Sequence, residues 1–96
     1  MASFTVSVEL RNATQTTQRK LRISMAANGF RHSARCDAGA TYQLPRDEYV
    51  CISFSTRYEL LARVFNLVSA CSANPAILIT ESVGRAGMGL DEVIIP

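Results

Sequence analysis

The sequence predicts an α+β domain whose elements run strand, helix, strand, strand, helix, strand. Three observations carry that prediction. Phe4, Val6, Val8 and Leu10 alternate with Thr5, Ser7 and Glu9, the period of two that a strand with one face in a core requires. Leu60, Leu61, Val64, Phe65, Leu67, Val68 and Cys71 recur at helical spacing over a broad face. Between such segments lie residues that turn a chain, Asn28-Gly29, Asp37-Ala38-Gly39 and Asn74-Pro75. With 96 residues the chain can build one hydrophobic core, so residues 1–96 are read as a single domain, with its core in 4–81 and a C-terminal extension in 82–96. Apolar residues make up 48% and charged residues 19%, ordinary globular values that argue against a disordered chain.

The first strand is the alternating run from Phe4 to Leu10. The first helix runs from Asn12 or Thr14, either of which can supply the N-cap oxygen, to Asn28. Thr17, Leu21 and Met25 lie four apart on it with Ile23 and Ala27 beside them, while Arg19, Lys20 and Arg22 fall mainly on the outer side. Asn28-Gly29 is a fitting stop because both residues tolerate the left-handed conformation. A second strand follows from Phe30 to Cys36, with Phe30, His32, Ala34 and Cys36 on one face and Arg31, Ser33 and Arg35 on the other. Asp37 to Thr41 reads as a turn and Leu44 to Asp47 breaks regular structure again. A third strand runs from Tyr49 to Ser55, which makes the pair a wide hairpin.

Thr56 caps the second helix and Glu59, three residues on, completes a capping box; Asn74-Pro75 ends that helix. Ile77 to Thr80 is a short buried strand. Gly84, Gly87 and Gly89 then form a flexible hinge loop, and Leu90 to Ile95 reads as a final extension strand. With right-handed crossovers this order gives a ferredoxin-like βαββαβ sandwich, a four-stranded antiparallel sheet with both helices on one face and the other face open.

The net charge of +2 is unevenly spread. Residues 1–35 hold Arg11, Arg19, Lys20, Arg22, Arg31 and Arg35 against the single acid Glu9, a net of +5, and the rest of the chain carries a net of −3. That asymmetry points to a polyanionic partner. The longest apolar runs, such as Ala76 to Ile79, fall far short of the roughly 20 residues of a membrane helix. The first residues lack the pattern of a secretory signal, so the chain is expected in the cytoplasm without a membrane partner. Cys36, Cys51 and Cys71 lie in separate segments without paired spacing and are read as small buried side chains of a reducing compartment.

No P-loop, dinucleotide-binding glycine fingerprint, GxSxG elbow or HExxH helix is present. His32, the only histidine, shares its face with Phe30 and Ala34 and is read as a packed structural residue. Base stacking of the RRM type has few aromatic candidates, chiefly Phe4 and Tyr49, and the RNP pattern is missing. Arg31 and Arg35 instead form a basic stripe suited to phosphates.

Phe4 to Leu10, the helix end from Leu21 to Phe30, and the stretches Tyr42-Gln43-Leu44-Pro45 and Tyr49 to Thr56 together resemble the GhoS family over residues 4–81. That family comprises small ferredoxin-like antitoxins that act as endoribonucleases on a toxin's mRNA, and it is structurally similar to the small CRISPR-associated nucleases. The resemblance implies an RNA-binding antitoxin of a toxin–antitoxin system that cleaves single-stranded or structured mRNA. Combined with the charge distribution, it makes Glu9 and Arg31 the catalytic candidates, with the basic residues Arg11, Arg19, Lys20, Arg22 and Arg35 on the RNA phosphates. In the CRISPR-associated relatives an acid at the end of the first strand helps hold a metal across a dimer. Glu9, a longer residue than the usual Asp, takes that position here as the candidate ligand for Mg²⁺. Their last strand pairs with a second subunit, which implies a homodimer through Leu90 to Ile95. Two other functions fit the same residues. One is a non-enzymatic protein-binding regulator or phage-encoded inhibitor working through the open sheet face or the basic helix, and the other is a structural homodimer.

Overall fold

A computed structural model describes residues 1–93. Its elements are β1 (Ala2–Glu9), α1 (Gln15–Ala27), β2 (Ser33–Arg35), β3 (Thr41–Gln43), β4 (Glu48–Ser53), α2 (Arg57–Ser69) and β5 (Ala76–Ser82). The chain is α+β, with two helices and antiparallel strands in a three-stranded sheet ordered β4-β1-β5 and a two-stranded sheet of β2 and β3.

Alternation along β1 decides which way the sheet faces. Phe4, Val6 and Val8 are almost wholly buried and pack with Tyr49 and Cys51 of β4, Leu21 and Met25 of α1, and Leu60, Val64 and Val68 of α2. Both helices therefore cover the same side of the sheet. Burying a side chain of this kind contributes about 1.5–3 kcal/mol, so this layer dominates the stability of the fold.

The helices end where local chemistry dictates. Thr14, not Asn12, is the N-cap of α1, and its hydroxyl accepts from the Thr17 N–H at 3.2 Å. Gly29 follows the C-cap at φ +88°, a left-handed conformation that glycine adopts without penalty. The last turn of α1 has no basic residue of its own, but Arg63 of α2 donates to the Asn28 carbonyl at 3.0 Å and lies over the Phe30 ring. At α2 the capping box is complete: Thr56 Oγ1 accepts from Glu59 N–H, and Glu59 Oε1 accepts from Thr56 N–H at 2.9 Å. Hydrogen bonding of the ionised carboxylate to Thr56, first to its backbone N–H and then to its side chain, holds the Glu59 pKa below its ordinary value.

Several expectations are corrected. The Phe30–Cys36 strand shrinks to Ser33–Arg35, and the expected wide hairpin is a tight one, because Thr41–Gln43 forms β3 against β2. Only Arg31 pairs with β4, through two 2.8 Å backbone bonds to Val50. A continuing ladder would bring Ser33 N–H to the Glu48 carbonyl. The His32 ring lies on that carbonyl instead, with Nδ1 at 2.9 Å, and the strand turns away to pair with β3. Helix α2 stops at Ser69, before Asn74-Pro75. Ile23, expected beside the α1 core stripe, is 71% exposed, and Leu61 and Phe65 of α2 are also exposed. Phe4 and Tyr49, the aromatics considered for base stacking, are each 1% exposed and lie on the helix-covered side.

From Ser82 the chain crosses to the far side of the β2–β3 hairpin, where Glu92 bridges to Tyr42. Gln43 N–H bonds the Asp91 carbonyl and Val93 N–H bonds the Thr41 carbonyl, each at 2.8 Å. Residues 91–93 of the expected extension strand thus pair with β3 of their own chain, and residues 94–96 lie outside the described residues. Among the described residues no helix is long and apolar enough to cross a membrane.

Candidate anion-binding site

The residues of β1 that alternate with the core residues face away from the helices. Ser3, Thr5 and Ser7 lie opposite Ile52, Val50 and Glu48 on β4 and Ser82, Thr80 and Leu78 on β5. On this second face hydroxyls stand among the exposed side chains of Ile52 and Leu78, and the segment that follows β5 crosses it at one end.

Asp37, in the turn after β2, fixes that crossing. Its backbone N–H donates to the Arg85 carbonyl at 2.9 Å, and its carboxylate accepts from the Arg85 N–H at 3.1 Å. The approach is close enough that a Cβ on Gly84 would meet Asp37 Oδ1 at 2.9 Å, so a larger residue there would push the carboxylate aside. The Arg85 side chain then reaches down onto β1. Nη1 and Nη2 donate to Ser3 Oγ at 3.2 Å, and Nη2 also donates to Thr5 Oγ1 at 3.0 Å. Thr5 Oγ1 in turn shares a hydrogen bond with Ser82 Oγ at 3.0 Å.

Arg85 is thereby brought to the same place as Arg31 and Arg35. The three border a cavity of about 400 Å³ with Ser3, Ser33 and Thr41, over a floor that includes Val50 and Ile52. No carboxylate lines it. Arg31 and Arg35 have no side-chain hydrogen bond or ion pair among the described residues, whose one ion pair is the exposed Arg46–Asp47 contact at 3.9 Å. Arginine is always protonated, so three positive charges face one space without an internal counterion. Such a site favours an anion with several acceptor oxygens, which guanidinium groups bind bidentately.

The opposite end of this face is acidic. Glu9, Asp47 and Glu48 outnumber the single cation Arg46, which pairs with Asp47, around an open groove of about 510 Å³, where Glu48 Oε1 accepts from Ser7 Oγ at 3.4 Å. Glu9 and Arg31, the two catalytic candidates, are not brought together. Arg31 stands at Val50, which faces Thr5, whereas Glu9 is four residues further along β1, roughly 13 Å away at 3.3 Å per residue and two strands across. Although three acids border the groove, no group of three or more His, Cys, Asp or Glu gathers to hold a metal ion among the described residues. The donor set around Glu9 within one chain does not fit Mg²⁺, which demands near-octahedral oxygen ligation.

The expected RNA-binding residues divide between two sides of the sheet. Arg19, Lys20 and Arg22 lie exposed on α1, on the helix-covered side, and Arg31 and Arg35 lie on the other. Arg22 stands near the Tyr49 phenol, whose pKa is raised by burial and partly drawn back by that guanidinium. Arg11 is committed to structure, with Nε donating to the Asn74 carbonyl at 3.0 Å. His32 packs as expected, its ring centroid 5.4 Å from that of Tyr49. All three cysteines are free thiols; Cys51 is buried, and burial pushes its pKa up.

Sequence reasoning missed Arg85. The available signal was a long cation set among the small residues Gly84, Ala86 and Gly87, which otherwise read as a hinge. No protein-family model matches the chain, and no curated protein matches it.

Proposed function

We propose that this chain is a small RNA-binding protein that holds RNA phosphates in the pocket of Arg31, Arg35 and Arg85. The observation that carries this reading is the convergence of three guanidinium groups on a cavity with no lining carboxylate. The hydroxyls of Ser3, Ser33 and Thr41 add neutral hydrogen-bonding partners suited to sugar and phosphate oxygens. In this reading the fold is a ferredoxin-like variant. The Arg31–Val50 bridge extends the strand order β5-β1-β4 toward β2, and the hairpin then lifts away to form one wall of the pocket. The antitoxin role implied by the GhoS resemblance is compatible with such binding.

Fluorescence anisotropy with a labelled single-stranded RNA tests the reading. With about three phosphates neutralised on a single strand, raising salt from about 50 to about 200 mM weakens binding roughly 20-fold. Arg31→Gln and Arg35→Gln each reduce both the affinity and that salt dependence. An absence of binding at low salt sinks the proposal.

A separate observation favours self-association as a second property. Tyr58, Leu61, Phe65 and Ile77 border an apolar groove beside β5, the outer strand of its sheet. A second copy is the occupant that suits it, because an outer strand can pair antiparallel with its own twin about a two-fold axis while the two grooves cover each other. Sedimentation equilibrium should show a dimer that Phe65→Glu converts to monomer; a monomeric parent at high concentration ends this reading.

A further inference from the structure

We infer that the arginine pocket receives the terminal phosphomonoester of an RNA strand, together with the one nucleotide that bears it, and not a stretch of internal backbone. This deepens the RNA-binding reading and rests on it. Three features of the pocket carry the inference.

The first is its shape. The sheet supplies the floor through Ser3 and Val50, and the hairpin supplies a wall through Arg31, Ser33, Arg35 and Thr41. The crossing segment closes one end, because Arg85 is tied both to Asp37 in the hairpin turn and to Ser3 and Thr5 in β1. A polynucleotide entering from the open side meets that strap and has no path onward. A blind site holds an end of a chain.

The second is the charge along the face. A strand lying across the whole sheet would leave the arginines and run over Glu48 toward Glu9. Like charge repels the backbone there. The basic surface is long enough for a terminus and too short for a track. At about 400 Å³ the cavity falls within the size range of small-ligand sites.

The third is the amount of charge. A phosphodiester carries one negative charge, whereas a phosphomonoester carries about −1.5 to −2 at pH 7 and three strong acceptor oxygens. Three guanidinium groups without an internal counterion match the monoester. Arg85 spends three of its five N–H groups on Ser3 and Thr5, which fixes its plane and leaves two for a ligand. Ile52, 59% exposed at the floor, offers an apolar surface for the base or sugar.

The test compares one short single-stranded RNA in three forms: with a 5′-phosphate, with a 3′-phosphate and with hydroxyls at both ends. One phosphorylated form should bind about tenfold more tightly than the hydroxyl form, the gain expected from an added set of charge-assisted hydrogen bonds. That preference should fade as pH falls through about 6, where the monoester takes up its second proton. It should also vanish in Arg35→Gln, with Arg31→Gln as the second variant, provided that circular dichroism shows each to be folded. Equal binding of all three forms overturns the inference and leaves the RNA-binding reading standing. A preference that survives in both folded variants overturns it as well. Failure of every form to bind removes the RNA-binding reading itself. A free nucleoside 5′-monophosphate serves as competitor. Displacement only at much higher concentration than the phosphorylated strand supports a strand end, and equal potency assigns the pocket to free nucleotides and overturns the inference.

Discussion

Neighbouring residues of β1 live in opposite environments. Phe4, Val6 and Val8 stand in a dry layer under two helices, while Ser3, Thr5 and Ser7 face a polar surface crossed by Arg85. The two sets come from one strand by alternation alone. The contrast teaches that the core and the seat of Arg85 are built from interleaved residues of the same strand. They can be disturbed separately.

Four measurements would break or sharpen that separation, from the largest effect to the smallest. Phe4→Ala, at a site 1% exposed, should cost about 3–5 kcal/mol in urea unfolding; a loss below about 1 kcal/mol would mean that the helix-covered layer is not close-packed. Val6→Thr keeps the shape and inserts a hydroxyl at a fully buried site, so it should cost about 1–3 kcal/mol by the same assay. Thr5→Val makes the mirror exchange on the other face. It removes the acceptor for Arg85 and the partner of Ser82, and should cost about 1 kcal/mol or less while weakening RNA binding more than Val6→Thr does in folded protein. The reverse ranking in binding would dissolve the separation.

The fourth measurement uses alkaline pH. Burial on the helix-covered side raises the pKa of Cys51 above 9.0 and that of Tyr49 above 10.0. For an acid whose folded pKa is raised, the unfolded chain loses its proton first. The stabilisation is therefore complete below the unfolded pKa and is lost as pH rises through the folded one. Thermal melts should show stability declining from about pH 9 upward, and Tyr49→Phe should flatten the upper part of that decline. An unchanged alkaline slope in Tyr49→Phe would show that the phenol is not held in the dry layer.

Much of this frame was legible in the sequence because it is locally encoded. The β1 alternation and the Thr56–Glu59 capping box each lie within a few residues and announce themselves by period or spacing. At α1 either Asn12 or Thr14 fitted, and Thr14 prevailed by bonding Thr17 while Asn12 took φ 57° in the turn before it. Strand β3 was not legible. Thr41-Tyr42-Gln43 is too short to show a period, and it is held by β2 on one side and by Asp91 to Val93 on the other. The basic stripe of Arg31 and Arg35 was readable, yet its third member was not. Arg85 reaches the site through Asp37 and Ser3, contacts that span 48 and 82 residues and leave no mark on local pattern.

The crossing segment also sets an order of events when the chain is made. β1 leaves the ribosome first, but Thr5 meets Ser82 only after 77 further residues, and Arg85 follows later still. Contacts that distant close slowly. A nascent chain halted before the strap has lost its third guanidinium and the closed end of the trough. The arginine-bordered cavity is therefore complete only once the chain has been made past Arg85.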